Sequence, residues 1–164
     1  MSQAVVPAST GVCFGTPRWL YDWLDARFQF TLDPCPLNDA AIWDGLERSW
    51  RDERVFCNPP YGRKEIPRWL RKRFEPSLAV YLLPARTDTE WWHEWVLREA
   101  SEIIYCRNRI AFVGMKTPAY FASVVVVYEG APRTPITKSL WLTDLEPQTR
   151  GYRIPSEAPR ETPE

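Results

Sequence analysis

Four consecutive residues, Asn58, Pro59, Pro60 and Tyr61, stand where the apolar run Val55, Phe56, Cys57 breaks off, just ahead of Gly62. A proline ends a strand because it has no N–H for the ladder. Two in tandem also fix two φ angles, which holds the Asn58 side-chain oxygen and the Pro59 carbonyl in one relative geometry. A fixed pair of acceptors suits a planar nitrogen with two N–H donors, either an exocyclic amine on a base or a primary amide. Such a nitrogen is a poor nucleophile because its lone pair is delocalised. Binding both hydrogens favours a pyramidal nitrogen with a localised pair, and the interaction strengthens as positive charge develops during attack. Tyr61 adds a ring for stacking on the flat group, worth about 1–3 kcal/mol against a base.

Other residues with chemical potential lie around this motif. Asp33 ends an apolar stretch and is followed by Pro34 and Cys35. A basic run, Arg63, Lys64, Arg68, Arg71, Lys72 and Arg73, follows the motif directly. As a helix face it is solvated, and its position beside the loop also suits phosphate contact. Arg107 and Arg109 fit the same description, and Arg86 sits just past an apolar strand, within reach of the crevice or of Asp88 and Glu90. His93 lies among tryptophans and reads as a hydrogen-bonded structural residue. Cys13, Cys35, Cys57 and Cys106 form no CxxC pair, which argues against zinc and for reduced thiols. No metal is expected.

The elements that must position these residues follow from periodicity. Thr16 as N-cap and Pro17 at the first helical position open a helix through "RWLYDWLDARF". "FQFTLD" and "ERVFC" read as strands, "EIPRWLRKRF" as an amphipathic helix, and "SLAVYLLP" as a strand in the middle of a parallel sheet. Thr87 and Glu90 form a capping box before the helix "TEWWHEWVLREA". "EIIYC", "RIAFVG" and "FASVVVVYEG" complete the strands, with "KSLWLTDL" pairing as an edge strand or packing on the body. Alternating strands and helices imply an open α/β sheet, mostly parallel, with an antiparallel edge formed by the closely spaced later strands and helices on both faces.

With 164 residues the chain fits one domain, and 45% hydrophobic residues with nine tryptophans supply a core. Lys+Arg and Asp+Glu balance at 21 each, so nucleic-acid binding needs a local patch and not a global field. No apolar run nears the ~18 residues that span a bilayer, and no secretion signal is recognisable, so a cytoplasmic protein is expected. Residues 1–15 are expected to be loosely ordered, 16–145 to form the domain, and the Pro-rich 146–164 to be disordered.

"VFCNPPYG" resembles the catalytic motif of amino-group methyltransferases that use S-adenosylmethionine. More closely, the chain resembles the small phage-type DNA adenine-N6 methyltransferases. The further segments that carry this likeness are "TPRWLYDWLDARFQFTLDPC", "DGLERSW", "LLPARTDTEWWHEWV" and "RNRIAF". The resemblance implies a reduced Rossmann-like methyltransferase sheet, since the 24 residues between Asp33 and Asn58 leave no room for further strand–helix units. It also implies that Asn58 and Pro59 accept from the target amine, Pro60 holds the turn and Tyr61 stacks on an extruded adenine of double-stranded DNA. Thr16, Pro17, Asp33, Pro34 and Cys35 then contact S-adenosyl-L-methionine. The nucleic-acid contacts fall to Arg63, Lys64, Arg68, Arg86, Arg107 and Arg109. The chain has "PLNDAA" where the usual cofactor motif continues into a glycine-rich turn. The same chemistry on RNA or a protein glutamine amide, and a catalytically silent nucleic-acid-binding protein, stay open as alternatives. A phage or prophage product, monomeric by default, is the expectation.

Overall fold

The computed structural model describes residues 13–37, 44–142 and 145. The expected tail at 146–164 and the first twelve residues lie outside the described residues. Helix α1 (Arg18–Phe28) buries Leu20, Leu24 and Phe28, which recur at helical spacing. Its N-cap is Pro17 and not Thr16, and no side chain caps it, because the Thr16 hydroxyl is engaged elsewhere. At the other end Gln29 takes a left-handed φ of 52° and the Phe30 N–H donates to Asp25 Oδ1 at 2.7 Å, which turns the chain back.

Five strands form one sheet: β1 (Arg54–Cys57), β2 (Leu78–Pro84), β3 (Glu102–Arg107), β4 (Ser123–Glu129) and β5 (Ile136–Trp141). Their order is β1-β2-β4-β3-β5. β1 runs parallel to β2 and β3 parallel to β5, while β4 is antiparallel to both its neighbours. The reversed strand therefore lies at the centre of the sheet, not at the expected edge. Burial explains this: Val124, Val125, Val126 and Val127 form an uninterrupted apolar run that is buried throughout, and only a central strand covers both of its faces and both of its ladders. β5 alternates poorly and is largely exposed, so it takes the edge.

Two expected strands are not strands. "FQFTLD" keeps a single parallel bridge, Leu32 with Val55, and Pro34 and Pro36 lack the N–H groups that would extend it. "RIAFVG" contributes one antiparallel bridge, Val113 with Gly15. It follows Asn108, whose φ of 75° breaks the extended run leaving β3. Helix α2 (Glu65–Leu70) is short and buries Ile66, Trp69 and Leu70. The Trp-rich segment is helical at Glu90 and Trp91 and then widens into a π-helix (Trp92–Val96), with the Leu97 N–H reaching the Trp92 carbonyl at 2.9 Å. Its start is not the expected capping box. Thr87 is exposed in a turn, and the Thr89 hydroxyl donates to the Arg86 carbonyl at 2.7 Å.

Two ties hold the layers. Glu102 is buried and takes both terminal nitrogens of Arg27 (3.0 and 2.6 Å) and Lys138 (2.9 Å), joining α1, β3 and β5. Burial alone would raise the Glu102 carboxyl, but the bonds from Arg27 and Lys138 outweigh it and hold the group below its ordinary range. The second tie is Gly45. Its carbonyl accepts from Trp50 Nε1 at 2.8 Å, and a Cβ built on it would meet the Pro34 carbonyl oxygen at 1.8 Å. Only glycine lets these two backbones approach. Gly45→Ala is expected to lower stability by about 3 kcal/mol, as overpacking against a backbone that cannot yield. A denaturant melt unchanged from wild type would show that the Pro34 turn is free to move.

Candidate active site

β1, β2, β3, β5 and the Leu32 bridge all run the same way, so Asp33, residues 58–61, Arg86 and residues 107–109 leave the sheet at one end. β4 runs opposite and begins there, which brings in Phe121 as well. In open α/β sheets this end carries the ligand crevice.

Asn58 is buried at 7% exposure. Its Nδ2 donates to the Phe14 carbonyl (2.6 Å) and to Thr16 Oγ1 (2.9 Å). A carbonyl oxygen can only accept, so the amide is fixed with its nitrogen toward Phe14. Oδ1 faces the other way, fully buried, and has no hydrogen-bond partner among the described residues. Buried acceptors are nearly always paired, and an unpaired one costs about 1–3 kcal/mol, so the site holds an unused place for a donor.

The loop is pinned at its far end too. The Tyr61 phenol donates to the Leu82 carbonyl at 3.0 Å, just beyond the last β2 residue that β1 pairs, where the prolines have no N–H to offer. Burial pushes this phenol well above its ordinary range and keeps it a donor. Arg86, read as a crevice or phosphate residue, donates from Nη2 to the Tyr61 carbonyl at 3.0 Å instead of pairing with Asp88 or Glu90. The Tyr61 ring is enclosed by three others: Phe14 at 5.2 Å and tilted by 40°, Phe121 at 5.6 Å and Phe112 at 6.2 Å, the last two near edge-on.

Beside the loop, Asp33 Oδ1 accepts from the Cys35 N–H at 3.0 Å. Burial drives its carboxyl up to about 6, against the smaller pull of that N–H. Among the described residues it has no cationic partner. Pro34, buried, and Cys35, half-buried, follow it in the chain, while Thr16 is half-buried and Pro17 buried at the start of α1. Burial raises the Cys35 thiol to about 12 and the Cys57 thiol well above its usual range, so neither supplies a thiolate.

The basic residues divide. Arg63, Lys64, Arg71 and Arg109 are exposed, and Arg68 is exposed while paired with Glu65 at 3.3 Å. Lys72 donates to the Leu46 and Arg48 carbonyls (3.1 and 2.5 Å), and Arg73 pairs with Glu99, so both are structural ties. Arg107 covers the Trp141 ring at 3.4 Å. His93 is exposed on the π-helix, not the structural residue expected from its neighbours. A depression of about 400 Å³ lined by Tyr105, Thr137, Lys138 and Ser139 lies toward the β5 edge, and it offers no acceptor pair comparable to the loop.

Sequence reasoning passed over Phe14 and Phe121. Phe14 sits in a segment read as loosely ordered, and its only signal is an aromatic two residues before Thr16.

No helix among the described residues is long and apolar enough to cross a membrane. The curated proteins and the solved structures yielded no significant match. The family model described as DNA N-6-adenine-methyltransferase (Dam) matches residues 3–126. That span covers about three quarters of the 164 residues and includes Asp33, the Asn58 loop and Arg86. By this match the chain belongs to the DNA N-6-adenine-methyltransferase family.

Proposed function

We propose that the protein transfers a methyl group from S-adenosyl-L-methionine to the N6 amine of an adenine turned out of duplex DNA. The observation that carries this reading is the Asn58 amide, its nitrogen satisfied twice and its buried oxygen unpaired. One amine hydrogen goes to Asn58 Oδ1 and the other to the Pro59 carbonyl, to which no backbone N–H among the described residues donates. Both acceptors gain strength as the nitrogen becomes cationic, so they stabilise the transition state more than the bound base. Pro60 keeps the pair in register and Tyr61 stacks on the ring. Because the amine is inside the stack in a duplex, the base must be extruded to reach them. The residues used are consistent with a reduced Rossmann-like sheet, in which the loops beyond the parallel strand ends form the site.

The residues present fit the cofactor. Asp33 is a half-buried carboxylate with no cationic partner among the described residues, Pro34 and Cys35 follow it directly, and Thr16 and Pro17 would close the site from the start of α1. Bound there, S-adenosyl-L-methionine supplies an electrophilic methyl group. Asp33 would hold its ammonium group, while Asn58 and Pro59 orient the acceptor nitrogen toward the methyl. Arg63, Lys64, Arg68, Arg107 and Arg109 are exposed cations that would meet the DNA backbone, with the half-buried Arg86 at the loop itself.

Incubation with labelled cofactor and separate pools of DNA, RNA and protein should label adenine in DNA. Asn58→Ala should cut the rate by about 100-fold or more while leaving the melt near wild type. Label appearing only in RNA or in glutamine would move the acceptor, and no label in any pool would sink the reading in favour of a silent nucleic-acid-binding protein.

Asp33 gives a pH signature. Its folded value is above the unfolded one, so the stability it contributes is present at low pH and is lost as pH rises through about 6. A cofactor cation favours the ionised carboxylate, so cofactor affinity should rise through the same window. Calorimetry at pH 5 should give about tenfold weaker binding than at pH 7.5, and Asp33→Asn should bind weakly at both. A flat wild-type profile would remove Asp33 from the cofactor site.

A further inference from the structure

Stacking on Tyr61 requires a free ring face, and the four-ring cluster shows which neighbour stands in the way. Phe112 and Phe121 meet Tyr61 nearly edge-on, at 82° and 75°, so they bound the ring without covering it in parallel. Phe14 lies nearest, at 5.2 Å, and is the most nearly face-on of the three at 40°. Of the four rings, Tyr61 and Phe112 are buried, whereas Phe14 and Phe121 are half-buried and border the outside.

The backbone of Phe14 is held in place. Its carbonyl accepts from the catalytic amide, and the next residue, Gly15, bridges Val113. A Cβ on Gly15 would sit 2.4 Å from Leu37 and 2.8 Å from Val113, so the segment is wedged on both sides. The ring therefore has to move by side-chain rotation while the carbonyl stays bonded to Asn58. A base laid on the face of Tyr61 that Phe14 covers would occupy the space that Phe14 now fills. Two stacking contacts of about 3.5 Å each place flanking rings about 7 Å apart, roughly 2 Å more than the present separation.

We propose that Phe14 is the second wall of the adenine slot: the flipped base enters between Phe14 and Tyr61, and the Phe14 ring swings out and stacks on its free face. This rests on the adenine-methylation reading above and adds to it a base-stacking residue contributed by the segment before α1. One residue then does two things, its carbonyl orienting the acceptor amide and its ring clamping the base. In the absence of DNA the ring closes the slot by packing on Tyr61.

The test uses the full chain with Phe14→Leu and Phe14→Trp, after the methylated site has been mapped by sequencing DNA from cells that express the protein. Single-turnover methylation is measured on a duplex with adenine at the target, and fluorescence on a separate duplex with 2-aminopurine in its place, which is bright when extruded and quenched when stacked between rings. Wild type should extrude the base and quench it. Phe14→Leu keeps the bulk and loses the ring, so it should lose about 10- to 100-fold in kcat/KM and leave the extruded base bright. Phe14→Trp should restore quenching and bring the rate back to within a few fold. If Phe14→Leu quenches like wild type, whatever its rate, Phe14 is packing only and the slot is wrong. The same holds if it is bright but Phe14→Trp fails to restore quenching while melting like wild type. No transfer to DNA by the wild-type protein overturns the methylation reading and the slot with it.

Discussion

An amide side chain can offer its oxygen to a ligand only when something else holds its nitrogen. In this protein the hold is double, from the Phe14 carbonyl and the Thr16 hydroxyl, and both come from the segment that leads into α1. Every other feature of the site serves to keep that arrangement in place. The Thr16 hydroxyl is withdrawn from capping the helix, and the helix starts on Pro17 without a side-chain cap. A cap is worth about 1 kcal/mol, a modest loss against fixing a group whose misorientation would turn an acceptor into a donor.

The sheet supplies the second half of the constraint. The prolines that stiffen the loop also deprive β2 of ladder donors, and the Tyr61 phenol fills the gap at Leu82. The Asn58–Tyr61 loop and the strand beside it are thus completed by the same side chain. Arg86, on the turn after β2, closes the loop from below through the Tyr61 carbonyl. Asn58 and Tyr61 are fixed by partners from three separate stretches of chain, which gives a short irregular loop the rigidity of a regular element.

Much of this was legible in the sequence, for identifiable reasons. α1, β1, β2 and β4 were clear because apolar periodicity and uninterrupted valines dominate those stretches. The acceptor geometry was legible because two prolines leave few conformations open. Strand order was not, since the short connections between the later strands point to antiparallel pairing without saying where in the sheet it falls. The "RIAFVG" stretch failed for a different reason: β-propensity was present but no free ladder remained beside β3 and β4. Thr16 was misread because capping a helix and accepting from the Asn58 amide ask for the same residue type. Phe14 carried no periodic signal, and its role comes from long-range contacts with Asn58 and Tyr61.

The central position of β4 has a consequence for how the molecule assembles. β3 precedes β4 in the chain, yet it touches β2 only through β4, so β3 and β5 have no place on the sheet until β4 has arrived. The β3–β4 pair is local in sequence, whereas β4 on β2 closes a loop of about forty residues, the slower event by chain entropy. Phe112 and Phe121 lie in the connection between β3 and β4. They reach Tyr61 only when that hairpin docks, so the enclosure of the loop depends on the pairing of β4 with β2.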